Sequence, residues 1–203
     1  LLTACNYIMH CILNDTCLPV NVEASVALLE LLSDEDEEEE INAKVKALIG
    51  QHIQPIILKM LNLIRDTEND DVSNVIQRLI YIYEDEITAY SVEIMKHLSD
   101  TFLSLVKFCE ENEDNEDAKD DKTLAAVGVL STVESILSAM EGKLEVMGEL
   151  EKLTLPIIYA IIQNGMMDFY EELFTLISDL TSKQISTDMW NVLYLLHDIF
   201  QND

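Results

Sequence analysis

Residues 53–83 decide the fold, and they read IQPIILKMLNLIRDTENDDVSNVIQRLIYIY. On both sides of a polar centre, apolar side chains recur three or four positions apart, which is the spacing of one face of an α-helix. The polar centre, residues 65–71, offers Asp70 or Asp71 as a side-chain cap for the helix that follows. The stretch therefore predicts two amphipathic helices folded back on each other as a hairpin.

The helical spacing returns along most of the chain, in pairs of stretches separated by short polar breaks. The further pairs are 8–13 with 22–32, 95–109 with 130–140, and 153–162 with 169–180, and one more helix is expected over 189–200. Gly165 lies between the helices of the last pair, where it supplies a left-handed stop. A helix pair can bury its apolar stripe only against neighbouring pairs, so stacked pairs share one continuous core.

The pairs repeat at roughly 45–52 residues, which is near or slightly above the length of HEAT-like helical repeats. We therefore predict an all-α fold, an α-α superhelix of about four to five antiparallel helix pairs with no β-sheet. The predicted repeats of this single HEAT-repeat solenoid are 1–33, 41–86, 88–141, 143–182 and a partial repeat at 186–203.

Three residues of the central hairpin, Pro55, Asp66 and Val72, follow the Pro…Asp…Val order that is usual in a HEAT unit. HEAT units commonly carry Arg directly after that Val, as part of a ladder of Asp and Arg between repeats. The equivalent positions here are Glu23, Ser73, Ala125 and Tyr170. The pattern indicates a diverged HEAT family without the ladder. Pro55 and Pro156 both fall inside helical pattern and are interpreted as kinks.

The amino-acid composition indicates the fold class and the kind of partner that the surface attracts. The 203 residues are 49% hydrophobic, which is enough for a sizeable core. The chain contains 5 Gly and 3 Pro, too few helix-breaking residues for a sheet-rich fold, so an all-helical class is favoured. The 39 acidic residues against 12 basic ones give a formal net charge of -27. Such a surface repels nucleic acid and anionic membranes and attracts basic proteins. No segment is expected to span a membrane, and the chain is expected to be part of a longer one.

Catalytic chemistry is not expected. The four histidines, His10, His52, His97 and His197, lie singly on different helices, without a nucleophile at a usable spacing. Cys5, Cys11, Cys17 and Cys109 lack the spacing of a zinc site or a disulfide framework, so we interpret them as buried free thiols in a reducing compartment. The sequence therefore predicts no enzyme activity, no metal site and no cofactor.

Two acidic runs, 34–40 and 110–121, hold about half of the net charge. Each run can be interpreted as a docking loop for Lys/Arg-rich cargo or as a solvated linker between helices. Consecutive carboxylates repel, so we predict that 34–40 and most of 110–121 are mobile. The candidate cargo-binding residues include the hinge acids as well: Asp34, Glu35, Asp36, Glu37, Glu38, Glu39, Glu40, Asp66, Glu68, Asp70, Asp71, Glu110, Glu111, Glu113, Asp114, Glu116, Asp117, Asp120 and Asp121.

Near the C-terminal end, Trp190 follows helical spacing with Leu193, Leu196 and Phe200. An aromatic stripe of this kind is more often core, which is the preferred interpretation. The alternative is an exposed site for the Phe-Gly segments that line nuclear pores.

Four stretches resemble nuclear transport receptors of the importin-β superfamily, specifically the importin-seven/eight group: 18–24, 53–86, 92–102 and 168–203. The most specific motif of this resemblance is Arg65-Asp66-Thr67-Glu68-Asn69-Asp70-Asp71-Val72 followed by Asn74-Val75-Ile76-Gln77. Helical periodicity alone does not require those polar residues.

This resemblance implies a central-to-C-terminal solenoid fragment of a receptor that carries basic cargo, such as histones and ribosomal proteins, between cytoplasm and nucleus. It also implies two partners, the Ran GTPase, with its main site outside this fragment, and nucleoporin Phe-Gly repeats. Whether a second importin takes part is left open. Two rival hypotheses are a HEAT-repeat scaffold subunit of a phosphatase or chromatin complex and an acidic histone chaperone.

Overall fold

A computed structural model describes residues 1–33, 39–67, 70–111 and 116–202. Over these ranges the chain forms eleven α-helices and one short 3-10 helix (Met167–Phe169), with no β-strand, which confirms the all-α prediction. The α-helices are α1 Leu2–Asn14, α2 Leu18–Ser33, α3 Glu39–Gly50, α4 Ile53–Thr67, α5 Asp70–Ile82, α6 Glu84–Thr88, α7 Ser91–Glu111, α8 Glu116–Met140, α9 Leu144–Gln163, α10 Tyr170–Thr181 and α11 Thr187–Asn202.

The helices stack in two layers. One layer consists of α1, α4, α7 and α9 in succession, and the other of α2, α5, α8 and α10. Each helix of the first layer is followed by its antiparallel partner in the second, so the predicted helical hairpins are present. This is the arrangement of a HEAT-type solenoid, in which each pair contacts only its neighbours along the stack.

Apolar side chains at helical spacing fill the space between the layers. In the central hairpin, Ile56 and Met60 of α4 and Ile76 and Leu79 of α5 are fully buried. Further along, α7 is joined to the 3-10 helix by an edge-to-face contact between Phe102 and Phe169, whose ring centroids lie 5.6 Å apart. The core is therefore continuous from pair to pair, as stacking requires.

Two helices were not expected. Helix α3 lies within the predicted repeat 41–86 and meets α4 at a sharp corner, since the axes of Asn42–Gly50 and Ile53–Ile64 differ by 72°. The Tyr83 hydroxyl donates a hydrogen bond of 3.0 Å to the Lys46 carbonyl and ties α3 to the end of α5. Helix α6 follows α5 directly and lies across the predicted boundary between the repeats 41–86 and 88–141. The repeat boundaries themselves remain a prediction.

The helix ends follow local chemistry. Gly165 has φ of 60°, as expected for a left-handed stop after α9. The Ser186 hydroxyl accepts a hydrogen bond of 3.0 Å from the Met189 N–H and caps α11. Pro156 lies inside α9. The prediction of a kink at Pro55 was wrong, because Pro55 is the third residue of α4, where a helix needs no backbone donor.

One helix has the length and apolar composition that a membrane span needs, although the sequence analysis expected no spanning segment. Residues Lys122–Met140 of α8 form a helical stretch of 19 residues with a mean hydropathy of 1.6. The stretch packs against α5, α7 and α10, and Val129, Val133 and Leu137 are fully buried. Its apolar composition follows from its central place in the stack, where neighbours surround it on several sides.

Candidate protein-binding surface

The two kinds of helix connection lie on opposite edges of the solenoid. On the edge that we call the first edge, the end of α7 and the start of α8 lie beside the turn 164–169 between α9 and α10. On the second edge, the Lys143 ammonium lies 2.6 Å from the Thr88 hydroxyl, and Lys183 forms an ion pair of 3.1 Å with Glu141. The end of α7 and the start of α8 thus belong to the first edge, and the end of α2 and the start of α3 belong to the second.

The structure places the candidate acids in three groups. Asp34 to Glu38, Glu68, Glu113 and Asp114 lie outside the described residues. Asp66 and Asp71 are exposed on either side of the α4–α5 connection. The rest lie on helical backbone, with Glu39 and Glu40 in α3, Asp70 in α5, Glu110 and Glu111 in α7, and Glu116, Asp117, Asp120 and Asp121 in α8.

The second acidic run is therefore shorter as a loop than predicted. We expected an acidic break over 110–121, but α7 extends to Glu111 and α8 begins at Glu116, so a loop over the whole run is wrong. Acidic residues are favourable in the first turn of a helix, where they face unpaired backbone N–H groups, and this helps α8 to begin inside the run. The predicted mobility of 34–38 and 112–115 lies outside the described residues.

Two helix ends lie beside the acidic runs and, like those of α1, α3, α5 and α8 to α11, have no basic residue in the last turn. Helix α7 ends with Glu110 and Glu111, and its last turn contains no basic residue. Helix α2 likewise has no base in its last turn and leads directly into 34–40. Carboxylates at a C-terminal end add to the partial negative charge of the last carbonyls, which costs about 0.3–1 kcal/mol for each charge. A lysine or arginine from a partner would remove this repulsion at both places.

Some of the chain's cations join neighbouring elements. Besides Lys143 and Lys183 on the second edge, the Lys122 ammonium lies 5.1 Å from the centre of the Phe108 ring and joins α8 to α7. Arg78 lies over Tyr81 of the same helix at 5.4 Å. The acidic runs contain 1 lysine, Lys119, so the excess of negative charge there is not balanced from within the runs.

The side chains that could bind a metal do not gather at one point in the described part of the chain. No three His, Cys, Asp or Glu side chains converge on a possible ion site within the described ranges. All four histidines are exposed, and each belongs to a different part of the surface. The prediction of four buried thiols was wrong, because Cys5 alone is fully buried and Cys17 is exposed. Cys17 directly precedes α2, in a turn that the helical pattern did not resolve.

Sequence reasoning missed a cluster of carboxylates between α8 and α10. Burial raises the pKa of Glu134, and the nearby carboxylates of Asp179 and Glu172 raise it further. Burial and the charge of Glu141 also raise the pKa of Asp179. One carboxylate oxygen each of Glu172 and Asp179 is buried without a hydrogen-bond partner. A signal was available, since Glu134 is a lone acid within the apolar stretch of α8.

The aromatic stripe of α11 is exposed in part, so a core position for the whole stripe was wrong. Trp190 is 47% exposed and Phe200 is 65% exposed, whereas Leu193 and Leu196 pack partly against the core. Tyr194 stands beside Trp190, with 6.0 Å between ring centroids. The exposed side of α11 therefore presents aromatic rings to solvent.

The sequence was compared with family models and with known proteins. No family model matches the chain. Importin-8 of Homo sapiens is 35% identical over 192 residues, which cover 95% of this chain and 17% of the relative. The chain belongs to the importin-β family. Importin-8 of Danio rerio is also 35% identical, over 98% of the chain, and the Nonsense-mediated mRNA decay protein 5 of Saccharomyces cerevisiae is 30% identical over 93%.

The alignments with these relatives cover nearly the whole two-layer solenoid of this chain, which agrees with the assignment to the importin-β family. The chain spans less than a fifth of the length of each of the three relatives, at 17%, 19% and 18%. The similarity therefore concerns one segment of much longer proteins.

Proposed function

We propose that this importin-β family chain is part of a nuclear import receptor and binds basic protein cargo, of the histone or ribosomal-protein kind, through its acidic edges. The observation that carries the proposal is the agreement between the importin relatives and the charge distribution. Half of a net charge of -27 lies in two runs, each at the C-terminal end of a long helix. A solenoid offers such edges to an extended basic segment along several repeats at once.

Affinity in this proposal comes from many weak pairs. An exposed ion pair contributes about 0.2–1 kcal/mol, and salt at physiological strength screens charges beyond about 8 Å. One lysine bound at one run would therefore give little affinity, but a tail with many lysines in reach of both runs would bind appreciably. The field of the acidic surface would also speed the encounter, most strongly at low salt.

The complete receptor would release its cargo when Ran-GTP binds and would contact nucleoporin Phe-Gly repeats during passage through the pore. We place the main Ran site outside this segment. The exposed rings of Trp190, Tyr194 and Phe200 are the best candidates within the described residues for a Phe-Gly contact. The receptor would then be found in both cytoplasm and nucleus.

The test is a pair of neutralised variants. One replaces the seven acids of 34–40 with Ser and Asn, and the other replaces the eight acids of 110–121. Binding of a fluorescent lysine-rich histone-tail peptide should weaken about tenfold or more in each, which corresponds to losing three or more pairs of about 0.5 kcal/mol. The dependence of affinity on salt should flatten as well.

The control removes seven negative charges elsewhere, as many as the 34–40 variant and one fewer than the 110–121 variant. It replaces seven exposed acids on helices outside both runs: Glu23, Glu30, Asp100, Glu145, Glu171, Asp188 and Asp198. If the control weakens binding as much as the run variants do, the attraction is general and the runs are not the site. Unchanged binding in all three variants would leave the two rival functions, a HEAT scaffold or a histone chaperone that uses another surface. Release by Ran-GTP from the complete protein separates a receptor from both.

A further inference from the structure

A cavity of about 630 Å³ opens on the first edge between the end of α7, the start of α8 and the turn between α9 and α10. We infer that this cavity receives a bulky apolar side chain of the bound segment, with lysines or arginines on both sides of that residue. The inference rests on the proposed function and names the kind of segment that the acidic edge selects. Cavities of this size are typical of sites that take up a small ligand or a few residues of a partner.

The floor of the cavity is apolar and well fixed. Val106 of α7, Ala126 of α8 and Phe169 of the 3-10 helix line it, and all three side chains are at most 5% exposed. Phe169 is held by its edge-to-face contact with the fully buried Phe102. The floor is part of the core of the stack and needs no rearrangement to accept an apolar group.

The rim is adaptable. Met166 and Met167 lie on the turn that closes one side of the cavity, and Met167 is 77% exposed. A flexible thioether side chain can pack against apolar groups of different shape, and methionines recur on surfaces that bind several partners. An exposed methionine over an apolar floor therefore favours an aromatic or large aliphatic side chain as the occupant.

Charge decides what can flank that side chain. Cys109 and Thr123 line the cavity from α7 and α8, and the chain continues from them into the two halves of the acidic run, at Glu110 on one side and Asp121 on the other. The exposed Asp168 lies on the opposite rim. The helix ends next to the cavity carry Glu110, Glu111 and Glu116 to Asp121 in their sequence. Together with Asp168 they favour a segment whose neighbouring residues are basic and disfavour an acidic one.

The experiment compares two probes, a lysine-rich peptide with a single central phenylalanine and the same peptide with alanine in its place. Burying the ring should make the first bind about tenfold tighter or better, since burial of a Phe side chain corresponds to roughly that factor. Both peptides carry the same charge, so attraction to the acidic run alone predicts equal affinity.

Two variants of the chain close the cavity. Met167→Lys places a cation on its rim, and Thr123→Phe fills the space from α8. Their controls are Leu144→Lys, which adds the same charge at an exposed position of the second edge, and Leu124→Phe, which adds a ring at an exposed neighbour that does not line the cavity. The advantage of the phenylalanine peptide should disappear in the first two variants and persist in the controls.

The other possible results refute either the apolar site alone or the apolar site together with the proposed function. Equal affinity for the two peptides, with binding still lost when 110–121 is neutralised, refutes the cavity as an apolar site but leaves the proposed function intact. A phenylalanine advantage that survives both Met167→Lys and Thr123→Phe places the apolar contact elsewhere and also refutes it. If neither peptide binds at low salt, the proposed function and the inference are both refuted.

Discussion

Asn21 should be the most sensitive polar residue of the first helix pair. It lies on α2, is 1% exposed, and its amide nitrogen donates to the carbonyls of Cys11 at 2.8 Å and Asp15 at 3.2 Å, with a longer contact to Ile12. These carbonyls lie at the end of α1, where the helix leaves carbonyls short of donors, although that of Cys11 also accepts a bond of 3.3 Å from the Asp15 N–H. The side chain thus closes α1 and fixes the angle at which α2 departs.

The expected cost of Asn21→Ala follows from these contacts. Two good hydrogen bonds contribute about 1 kcal/mol each, and the Asp15 carbonyl loses this donor, whereas the Cys11 carbonyl keeps its bond from the Asp15 N–H. The amide oxygen of Asn21 is buried without a partner, so its removal offsets part of the loss. We expect a net cost of about 2 kcal/mol, which lowers the midpoint of thermal unfolding by roughly 4–8 °C for a chain of this size.

The measurement is thermal unfolding followed by circular dichroism, with hydrogen exchange to locate the change. Neighbour-only contacts in a stack confine the effect, so α1 should lose amide protection while α7 to α10 keep theirs. Asn6→Ala is the matched control, because Asn6 donates one exposed bond of 2.9 Å, to Leu2 of the same helix, and should cost at most about 0.5 kcal/mol. Equal destabilisation by the two substitutions would refute the assignment of Asn21 as the lock of this hairpin.

Three further predictions concern the core and the charges. Glu134→Gln should stabilise the fold at neutral pH. The pKa of Glu134 is raised in the folded state, so the folded chain binds more protons than the unfolded chain and stability falls as pH rises above the ordinary carboxyl range. Urea unfolding measured across pH would show no gain in stability for the variant if the charges were already screened. Phe102→Ala should cost about 3–5 kcal/mol and loosen the contact with Phe169, measured by urea unfolding, and a cost near that of an exposed residue would contradict the described packing. Raising NaCl from about 0.05 to 0.5 M should raise the unfolding temperature, because screening weakens the repulsion within a chain of net charge -27; a constant or falling temperature would argue against it.

Helical periodicity predicted the fold because nearly every helix buries one face against the neighbouring pair, as in α4 and α5. Helix α3 was missed because its first turn belongs to the acidic run and its buried side chains are few, namely Val45 and Ile49 in the described part. Helix α6 consists of five residues, too short for a period to show. The kink expected at Pro55 failed because periodicity does not show where a helix begins.

The candidate surface was predictable only where it is made of consecutive residues. The acidic runs are visible in the sequence because charge accumulates over neighbouring positions. The cavity is not, since residues 106–109, 123–126 and 164–169 meet only when three helix ends pack together. The carboxylates of Glu134 and Asp179 are likewise distant in sequence, and nothing local shows that they approach each other between α8 and α10.

The opposite edges of the α7 to α10 region imply an elastic behaviour of the stack. Its second edge is held by the Lys143–Glu84 and Lys183–Glu141 ion pairs, whereas its first edge carries the eight acids of 110–121 on one helix pair and Asp168 on the next. Repulsion along one side and attraction along the other amount to a bending couple, which fans the repeats apart on the acidic side. A basic segment that neutralises the first edge relaxes this couple. Cargo would then change the pitch of the superhelix, and with it the spacing of surfaces on distant repeats, without any repeat changing its own fold.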